Sequence, residues 1–219
     1  RQQGYLPEAL LNYMALLGWN DGTEQELYQM DELIAAFSAE KLNTASPVFD
    51  LQKLTWLNSQ HLRHLSVEQL WAQLHPILPD LPPPASQDIA AWNLRFTAAV
   101  TPNLNTLHDA IPLYQALCQT DLDFDDEALE VLKWPDTHTV LTAWIEALNT
   151  DSELNAESFK AILKTIQVQH AIKGKSLFMP LRVAMIGCAH GTELKILIDL
   201  LPKSTLLTRA QVCLNCCAI

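Results

Sequence analysis

The distribution of glycine constrains this chain more than any other feature of its sequence. The 219 residues include six glycines, and the 151 positions from 23 to 173 contain none. Loops that hold a phosphate against the backbone need glycine, and so do the two-residue turns of tight β-hairpins. The long central stretch is therefore incompatible with a phosphate-binding loop and with a meander of hairpins. What remains is a leucine- and alanine-rich sequence interrupted by twelve prolines, which indicates helices.

Apolar residues recur at three- and four-residue spacings from one end of the chain to the other, as amphipathic helices require. The expected helix signals are Pro7 at a first turn, Asp31, Asp50 and Ser86 as N-caps, a capping box from Ser66 to Gln69, and Gly174 after the end of a helix over 154–171. A single helix is expected over 106–117, and the prolines at 82–84 predict a stiff connector. The predicted fold class is all-α.

The net charge of −11 argues at face value against a nucleic-acid partner. The charge is unevenly distributed, however, with −5 over residues 1–75, −11 over 76–160 and +5 over 161–219. Half of the acids of the central part lie between 121 and 136, where a solvated loop and a helix N-terminus are expected. The basic C-terminal part is the one that could meet a polyanion.

Cysteine usage and the absence of a long apolar run indicate the class of protein. No run of 18 apolar residues occurs, so no membrane span is expected. Cys118 and Cys188 are expected to be buried as small apolar side chains, which suits a reducing cytosol. A chain that opens on Arg1 and enters a helix within seven residues is expected to be part of a longer protein.

Three patterns in the chain resemble parts of catalytic or metal sites. A P-loop ending at Gly174 would need glycine at position 169, where the chain has Gln169. His61 and His64 lie three residues apart without an evident third ligand, so we expect a surface pair. The thiols at Cys213, Cys216 and Cys217 supply half of a zinc site and are expected to be incidental. The residues thus predict no catalytic site, no metal and no cofactor in this chain.

Arg182 stands out because it interrupts an apolar run, LFMPLRVA at 177–184. Two interpretations stay open. The side chain either lies at the surface or in a structural ion pair, or it presents a guanidinium fork to a phosphate or a base edge. Lys173, Lys175 and Lys195 nearby would supply non-specific attraction for a polyanion.

Three stretches of the sequence resemble bacterial glutamyl-tRNA synthetases. Residues 175–184, KSLFMPLRVA, followed by Gly187 and Gly191, are similar to a segment of that family's anticodon domain. Residues 4–13, GYLPEALLNY, with LLGW at 16–19, resemble the helix after its catalytic KMSKS-type loop. Residues 49–54, FDLQKL, with WLN at 56–58, resemble the segment that joins its stem-contact region to its anticodon domains. The resemblance spans the chain and corresponds to the C-terminal half of a bacterial or cyanobacterial-type enzyme.

The resemblance implies a tRNA-binding role without an active site in this chain. The family activates glutamate with ATP and Mg²⁺ on a catalytic domain whose signature motifs are expected upstream of residue 1, so no cofactor is expected here. Residues 1–65 would form a stem-contact region, and residues 66–219 a helical anticodon-binding region subdivided near 116–120. The partner would be tRNA, and the protein a monomer in the cytoplasm or a plastid. The alternative from the residues alone is an acidic helical interaction module without tRNA binding.

The resemblance also assigns roles to individual residues. Arg182 would contact the anticodon loop, Leu194 would pack on an anticodon base, and Lys173 and Lys175 would assist in tRNA binding. The chain departs from the family where some members have Arg-Pro-Arg before a Thr-Leu pair, since it has Thr101-Pro102-Asn103 before Thr106-Leu107. In discriminating members the second of these arginines reads the third anticodon base. Asn103 therefore predicts an enzyme that accepts both glutamate and glutamine tRNAs, with Asn103 and Thr106 at the binding site.

Overall fold

The computed structural model describes residues 2–42, 48–84, 88–150 and 154–217, and the helices in these ranges account for the fold. The α-helices are α1 (Pro7–Gly18), α2 (Met30–Ala36), α3 (Leu51–His64), α4 (Val67–Leu74), α5 (Ile89–Val100), α6 (Ile111–Cys118), α7 (Asp126–Leu132), α8 (Thr137–Thr150), α9 (Ala156–His170), α10 (Lys175–Ile186), α11 (Leu194–Leu200) and α12 (Lys203–Cys216). Short 3₁₀ helices lie at Ala39–Lys41, His75–Ile77, Thr101–Asn103 and Leu107–Ala110. Within the described ranges the β structure is limited to one bridge, between Trp19 and Leu42. The all-α prediction is confirmed.

The starts of α3 and α4 follow the capping signals predicted from the sequence. The Asp50 carboxylate accepts hydrogen bonds from the first N–H groups of α3, and Ser66 and Gln69 form the expected capping box at α4. The N-cap predicted at Asp31 is wrong, because α2 begins at Met30 and Gln29 caps it. The expected cap at Ser86 lies outside the described residues.

Two helix ends differ from the predictions, for identifiable backbone reasons. Gly174 does not end α9. The left-handed residue after that helix is Ala171, with φ of 56°, and Gly174, with φ of 61°, precedes α10. The single helix expected over 106–117 is divided into a 3₁₀ helix and α6. Pro112 lies in the first turn of α6, where a missing N–H is tolerated.

Contacts divide the described residues into two compact units. The first unit contains residues 1–78 and 97–111, and the second contains residues 79–96 and 112–219. This division rests on packing, whereas the limits at 65 and near 116–120 follow from the resemblance and stay a prediction.

No helix in the described ranges combines the length and the apolar character that a membrane crossing demands.

The first unit is organised around the packing of α1 on α3. Tyr13 of α1 is buried with Leu54 and Leu57 of α3, and its hydroxyl accepts a hydrogen bond from the Asp50 N–H at 2.6 Å. A second apolar cluster contains Trp19, Tyr28 and Leu33. The packing therefore fixes α3 along its length, and the exposed face of α3 is held in a defined orientation within this unit.

The second unit has a core formed largely by α8, α10 and α12, which pack against one another. Its largest buried side chains include Trp92, Phe96 and Trp144, all with no exposed surface. The rings of Trp92 and Phe96 stack with centroids 5.5 Å apart, and the Trp92 indole N–H donates to the Leu200 carbonyl at 2.8 Å. Burying one such side chain contributes about 1.5–3 kcal/mol, so this core fixes α10 firmly.

Candidate nucleic-acid interface

Arg182 lies in the third turn of α10, between the buried side chains of Leu181 and Val183. Its own side chain is half-buried, and one Nη1–H donates to the Ala189 carbonyl at 3.2 Å. Its Nε is buried and has no partner among the described residues. Burial lowers the pKa of the Arg182 guanidinium, but arginine stays charged at neutral pH. The structure therefore presents a cation whose orientation is fixed and whose hydrogen-bonding capacity is only partly used.

Gly187 fixes the turn that follows α10. Its N–H donates to the Val183 carbonyl at 2.8 Å, and its φ of 75° lies in the left-handed region. A Cβ at this position would collide with the carbonyl oxygen of Asp123. Only glycine fits both constraints, so this close approach positions the turn and the Ala189 carbonyl that Arg182 contacts.

Acidic residues of the segment 121–127 border the same turn. Nε2 of His190 lies 2.9 Å from a Glu127 carboxylate oxygen, and burial together with Asp125 raises the pKa of the Cys188 thiol. The acidic and basic parts of the sequence are therefore interleaved in space at this turn. Negative charge here weakens the attraction of a phosphate more than that of a neutral base edge.

The other predicted contacts of the second unit differ in accessibility. Lys173 and Lys175 are exposed on either side of Gly174, where α10 begins. Leu194 is the first residue of α11 and is only 6% exposed, so it offers little surface for a base in this conformation.

Asn103 and Thr106 lie in the first unit, whereas Arg182, Leu194, Lys173 and Lys175 lie in the second. Asn103 is exposed at the end of a 3₁₀ helix. Thr106 caps the next 3₁₀ helix, and its N–H donates to an Asp109 carboxylate oxygen at 2.9 Å. Arg63 of α3, which the sequence analysis did not single out, donates from Nη2 to the Pro102 carbonyl at 3.0 Å.

Asn58 holds the backbone around these positions. Its side chain has no exposed surface, accepts a hydrogen bond from the Leu6 N–H at 2.8 Å and donates to the Asn105 carbonyl. The Gly4 carbonyl accepts from the Leu107 N–H at 3.0 Å nearby. Asn58 belongs to the WLN sequence that carried the resemblance, and the structure shows that its role there is to fix the loop.

The histidines of α3 do not form the expected surface pair. His61 is 4% exposed, and its Nε2 lies 3.0 Å from Asn12 Oδ1, so the prediction is wrong for this residue. Burial lowers the pKa of His61 and favours the neutral ring. His64 is exposed, as predicted. Among the described residues no group of three or more potential metal ligands comes together.

Arg209 of α12 is a buried charged residue that the sequence did not single out. It is 3% exposed and donates to the carbonyl oxygens of Met185, Leu117 and Gln119. Burial lowers its pKa as well. The sequence held no signal for this arrangement, because all three acceptors are backbone atoms distant along the chain.

Comparison with known families finds two matches in this chain. A family model described as "Anticodon binding domain" matches residues 69–214, and a model described as "tRNA synthetases class I (E and Q), catalytic domain" matches residues 1–56. A glutamate–tRNA ligase of Bdellovibrio bacteriovorus is 38% identical over 217 residues, which cover 96% of this chain and 43% of that protein. One from Geobacillus stearothermophilus is 33% identical over 214 residues, covering 96% and 44%. The chain thus spans less than half the length of these curated relatives.

Solved structures agree with the fold. A glutamate tRNA ligase from Elizabethkingia meningosepticum, crystallised in complex with its amino acid, superposes with a TM-score of 0.83 at 23% identity over 97% of this chain and 41% of that one. The glutamate-tRNA synthetase of Elizabethkingia anophelis gives a TM-score of 0.75 at 22% identity, with the same coverage. At this level of identity the likeness establishes the fold alone.

Proposed function

Because this chain belongs to the anticodon-binding domain family, we propose that it binds tRNA as the anticodon-recognising part of a glutamate–tRNA ligase. The observation that carries the proposal is Arg182. The Ala189 carbonyl orients its guanidinium, and its buried Nε has no partner among the described residues. A planar donor fork held in one orientation is suited to a base edge or a phosphate.

The surroundings of Arg182 favour a base edge as its acceptor. Glu127 of α7 lies close to His190 on the neighbouring turn, and a phosphate would meet this negative charge. Exposed Lys173 and Lys175 at the start of α10 supply the non-specific attraction for the RNA backbone. Leu194 would pack on an anticodon base only if a movement of α11 exposed more of its side chain than the 6% that is exposed in the free protein.

In this proposal, the activation of glutamate is carried out by the parent enzyme. ATP and Mg²⁺ would act there, and in the part of the chain that the structure describes no group of three or more acidic, histidine or cysteine side chains comes together. Tight anticodon binding by this chain uses neither of them. A monomer located in the cytoplasm or a plastid remains part of the proposal.

Asn103 supports acceptance of both glutamate and glutamine tRNAs. Its exposed amide lacks the charge and the rigid fork of the arginine found in discriminating relatives. Binding of the two anticodon stem-loops should be compared for the unaltered chain, Asn103→Ala and Asn103→Arg. Similar affinities for the two stem-loops, with a new preference in Asn103→Arg, are expected. A strong preference for the glutamate stem-loop that persists in Asn103→Ala would refute this part of the proposal.

A tRNA titration at two salt concentrations tests the main proposal. We expect binding that weakens steeply with salt, and a larger loss of affinity for Arg182→Ala than for Lys203→Ala, because an oriented fork contributes more than a peripheral charge. Equal losses would contradict the assignment of Arg182. The alternative of an acidic interaction module predicts no tRNA binding at either salt concentration, and the relatives, all named as ligases, give it no support.

A further inference from the structure

The first turn of α12 lines a cavity that none of the assignments above uses. The cavity has a volume of about 340 Å³, and all the residues that line it belong to the second unit. None of the described residues in its wall is acidic. Its polar lining includes Thr120, Ser204, Thr205, Thr208 and Arg209, and the prolines at 82–84 form part of its apolar lining.

The N-terminus of α12 has hydrogen-bond donors without acceptors. No side chain caps the helix, because Pro202 occupies the N-cap position. The N–H groups of Ser204 and Thr205, the second and third residues of the helix, have no acceptor among the described residues, and neither hydroxyl has a partner there. Free N–H groups and the positive end of the helix dipole favour an anion at this position.

Arg209 independently points to an anion in the same cavity. The residue is 3% exposed, and three backbone carbonyls hold its guanidinium in place. Its Nε is buried and has no partner among the described residues, an arrangement that is rare for a buried donor. Burial raises the pKa of the Cys118 thiol in the cavity wall to about 11, so this thiol is uncharged at neutral pH and does not neutralise Arg209.

This set of donors fits a phosphate group better than a carboxylate. The donors come from the first turn of α12, from Arg209 one turn later in the same helix, and from the Thr120 hydroxyl after α6. A tetrahedral oxyanion accepts hydrogen bonds from several directions, whereas a carboxylate has two oxygens in one plane. The prolines at 82–84 provide apolar surface for the organic part of a phosphate monoester.

We propose that this cavity binds a phosphate group, either as the free ion or as part of a small monoester, with its oxygens on Ser204 and Thr205 and its charge balanced by Arg209. Asp80 and Asp121 lie close in sequence to the lining residues, so an extended polyanion would meet more repulsion here than a small ion. The proposal is independent of tRNA binding. Because Arg209 also binds carbonyls in the last turns of α6 and α10, a bound phosphate should stabilise the second unit.

The test adds phosphate, glycerol phosphate or acetate to the full chain at constant ionic strength. Phosphate and glycerol phosphate should shift the backbone amide signals of Ser204 and Thr205 in ¹H–¹⁵N spectra, and should raise the unfolding temperature, in both cases with saturation. Acetate should do neither. Tighter binding of glycerol phosphate would identify a monoester as the ligand, and equal affinities would identify the free ion.

Ser204→Glu is the variant that tests the site, because replacing Arg209 would also remove its contacts with three carbonyls. The new carboxylate should raise the dissociation constant for phosphate at least about tenfold by charge repulsion. Gln52→Glu is the matched control. Gln52 is also an exposed second residue of a 14-residue helix, but Asp50 already caps that helix, so phosphate binding should not change.

Saturable binding that is lost in Ser204→Glu and kept in Gln52→Glu would support the proposal, even if the chain failed to bind tRNA. A rise in unfolding temperature that does not saturate and is equal in both variants would be a general effect of phosphate on protein stability, and would overturn it. Saturable shifts at Lys173 and Lys175 without shifts at Ser204 would place the ion elsewhere and would also overturn it. If tRNA shifted the Ser204 and Thr205 signals and phosphate did not, the cavity would be an RNA contact and the proposal would fail.

Discussion

Helices α10 and α12 each place one arginine in the interior of the second unit, and the two arginines differ in how completely the protein uses them. Arg209 is 3% exposed and donates to three backbone carbonyls. Arg182 is half-buried and donates to one, the Ala189 carbonyl. In both residues burial lowers the pKa of the guanidinium and leaves Nε without a partner among the described residues.

This difference separates a structural arginine, Arg209, from the arginine that we propose binds tRNA, Arg182. Two of the acceptors of Arg209, the carbonyls of Leu117 and Met185, lie in the last turns of α6 and α10. The negative end of a helix dipole stabilises a cation there, so Arg209 needs no carboxylate partner. Arg182 has donors left over and an environment that orients them. Burial lowers the pKa of both guanidinium groups, so the pKa shift does not distinguish the two residues. They differ in the number of N–H donors that form hydrogen bonds within the protein.

Replacing Arg209 by methionine should produce the largest effect on stability. Methionine fills a similar volume but leaves three buried carbonyls without their donor, so we expect the free energy of unfolding to fall by at least about 3 kcal/mol. Urea unfolding followed by circular dichroism measures this change. Arg182→Met is the control, and a loss as large as that of Arg209→Met would mean that the two arginines do the same work.

Gly187→Ala should produce the next largest effect, and it should affect both stability and binding. The added Cβ would collide with the Asp123 carbonyl, and a φ of 75° is strained for alanine. The two effects together should lower the free energy of unfolding by about 2 kcal/mol or more. Because the turn also carries the Ala189 carbonyl, tRNA affinity should fall as well. Gly22→Ala is a matched control: its φ of 97° is also left-handed, but nothing lies within 4 Å of the added Cβ. Equal losses in the two variants would show that backbone strain, and not the contact with Asp123, explains the effect.

Local signals in the sequence were sufficient for most of the helices and for drawing attention to Arg182. Side chains such as Asp50 and Ser66 cap the helix that follows them, so their effect is visible within four residues. Arg182 was conspicuous because an arginine in an apolar run needs a partner that the run itself cannot supply. The local predictions that fail are displaced by two residues for the cap at Asp31 and by three for the end of α9 predicted at Gly174.

Roles that depend on contacts between distant residues could not be predicted in this way. Arg209 is bound by carbonyls 24, 90 and 92 positions away, and His61 is buried against Asn12, 49 positions away. Arg63 reaches the Pro102 carbonyl across 39 positions. No composition or spacing rule encodes such pairings, and the same holds for the meeting of Glu127 with His190, which brings acidic and basic parts of the sequence together.

The thiols beside Arg209 should make stability fall at alkaline pH. Burial raises the pKa of Cys118 to about 11 and that of Cys213 to about 12. A raised pKa in the folded state stabilises the protein fully below the unfolded value, about 8.5, and this stabilisation is lost as the pH rises from there toward 11 and 12. The midpoint of urea unfolding should therefore fall between pH 8.5 and 10.5, and less steeply in Cys118→Ala. A slope unchanged in that variant would show that Cys118 is not responsible.

Arg182→Lys should change stability little and binding strongly. Among the described residues one hydrogen bond is at risk, so the free energy of unfolding should change by less than about 1 kcal/mol. Lysine keeps the charge but cannot present a planar fork, so tRNA affinity should fall while the salt dependence stays the same. Full affinity in Arg182→Lys would mean that Arg182 acts as a point charge. Arg182 would then resemble an exposed surface cation, and the number of its unused donors would not explain how it differs from Arg209.

The smallest effect is expected for the ion pair of His190 and Glu127, although His190 lies on the same turn as Gly187. Both side chains are more than half exposed, and exposed pairs contribute about 0–1 kcal/mol. His190→Ala should therefore change the free energy of unfolding by less than about 0.5 kcal/mol. Glu127→Gln removes a negative charge beside the turn and should raise tRNA affinity slightly at low salt, whereas His190→Ala should not. If His190→Ala lost as much stability and affinity as Gly187→Ala, the ion pair would hold the turn, and Arg182 would owe its orientation to a surface contact that salt could weaken.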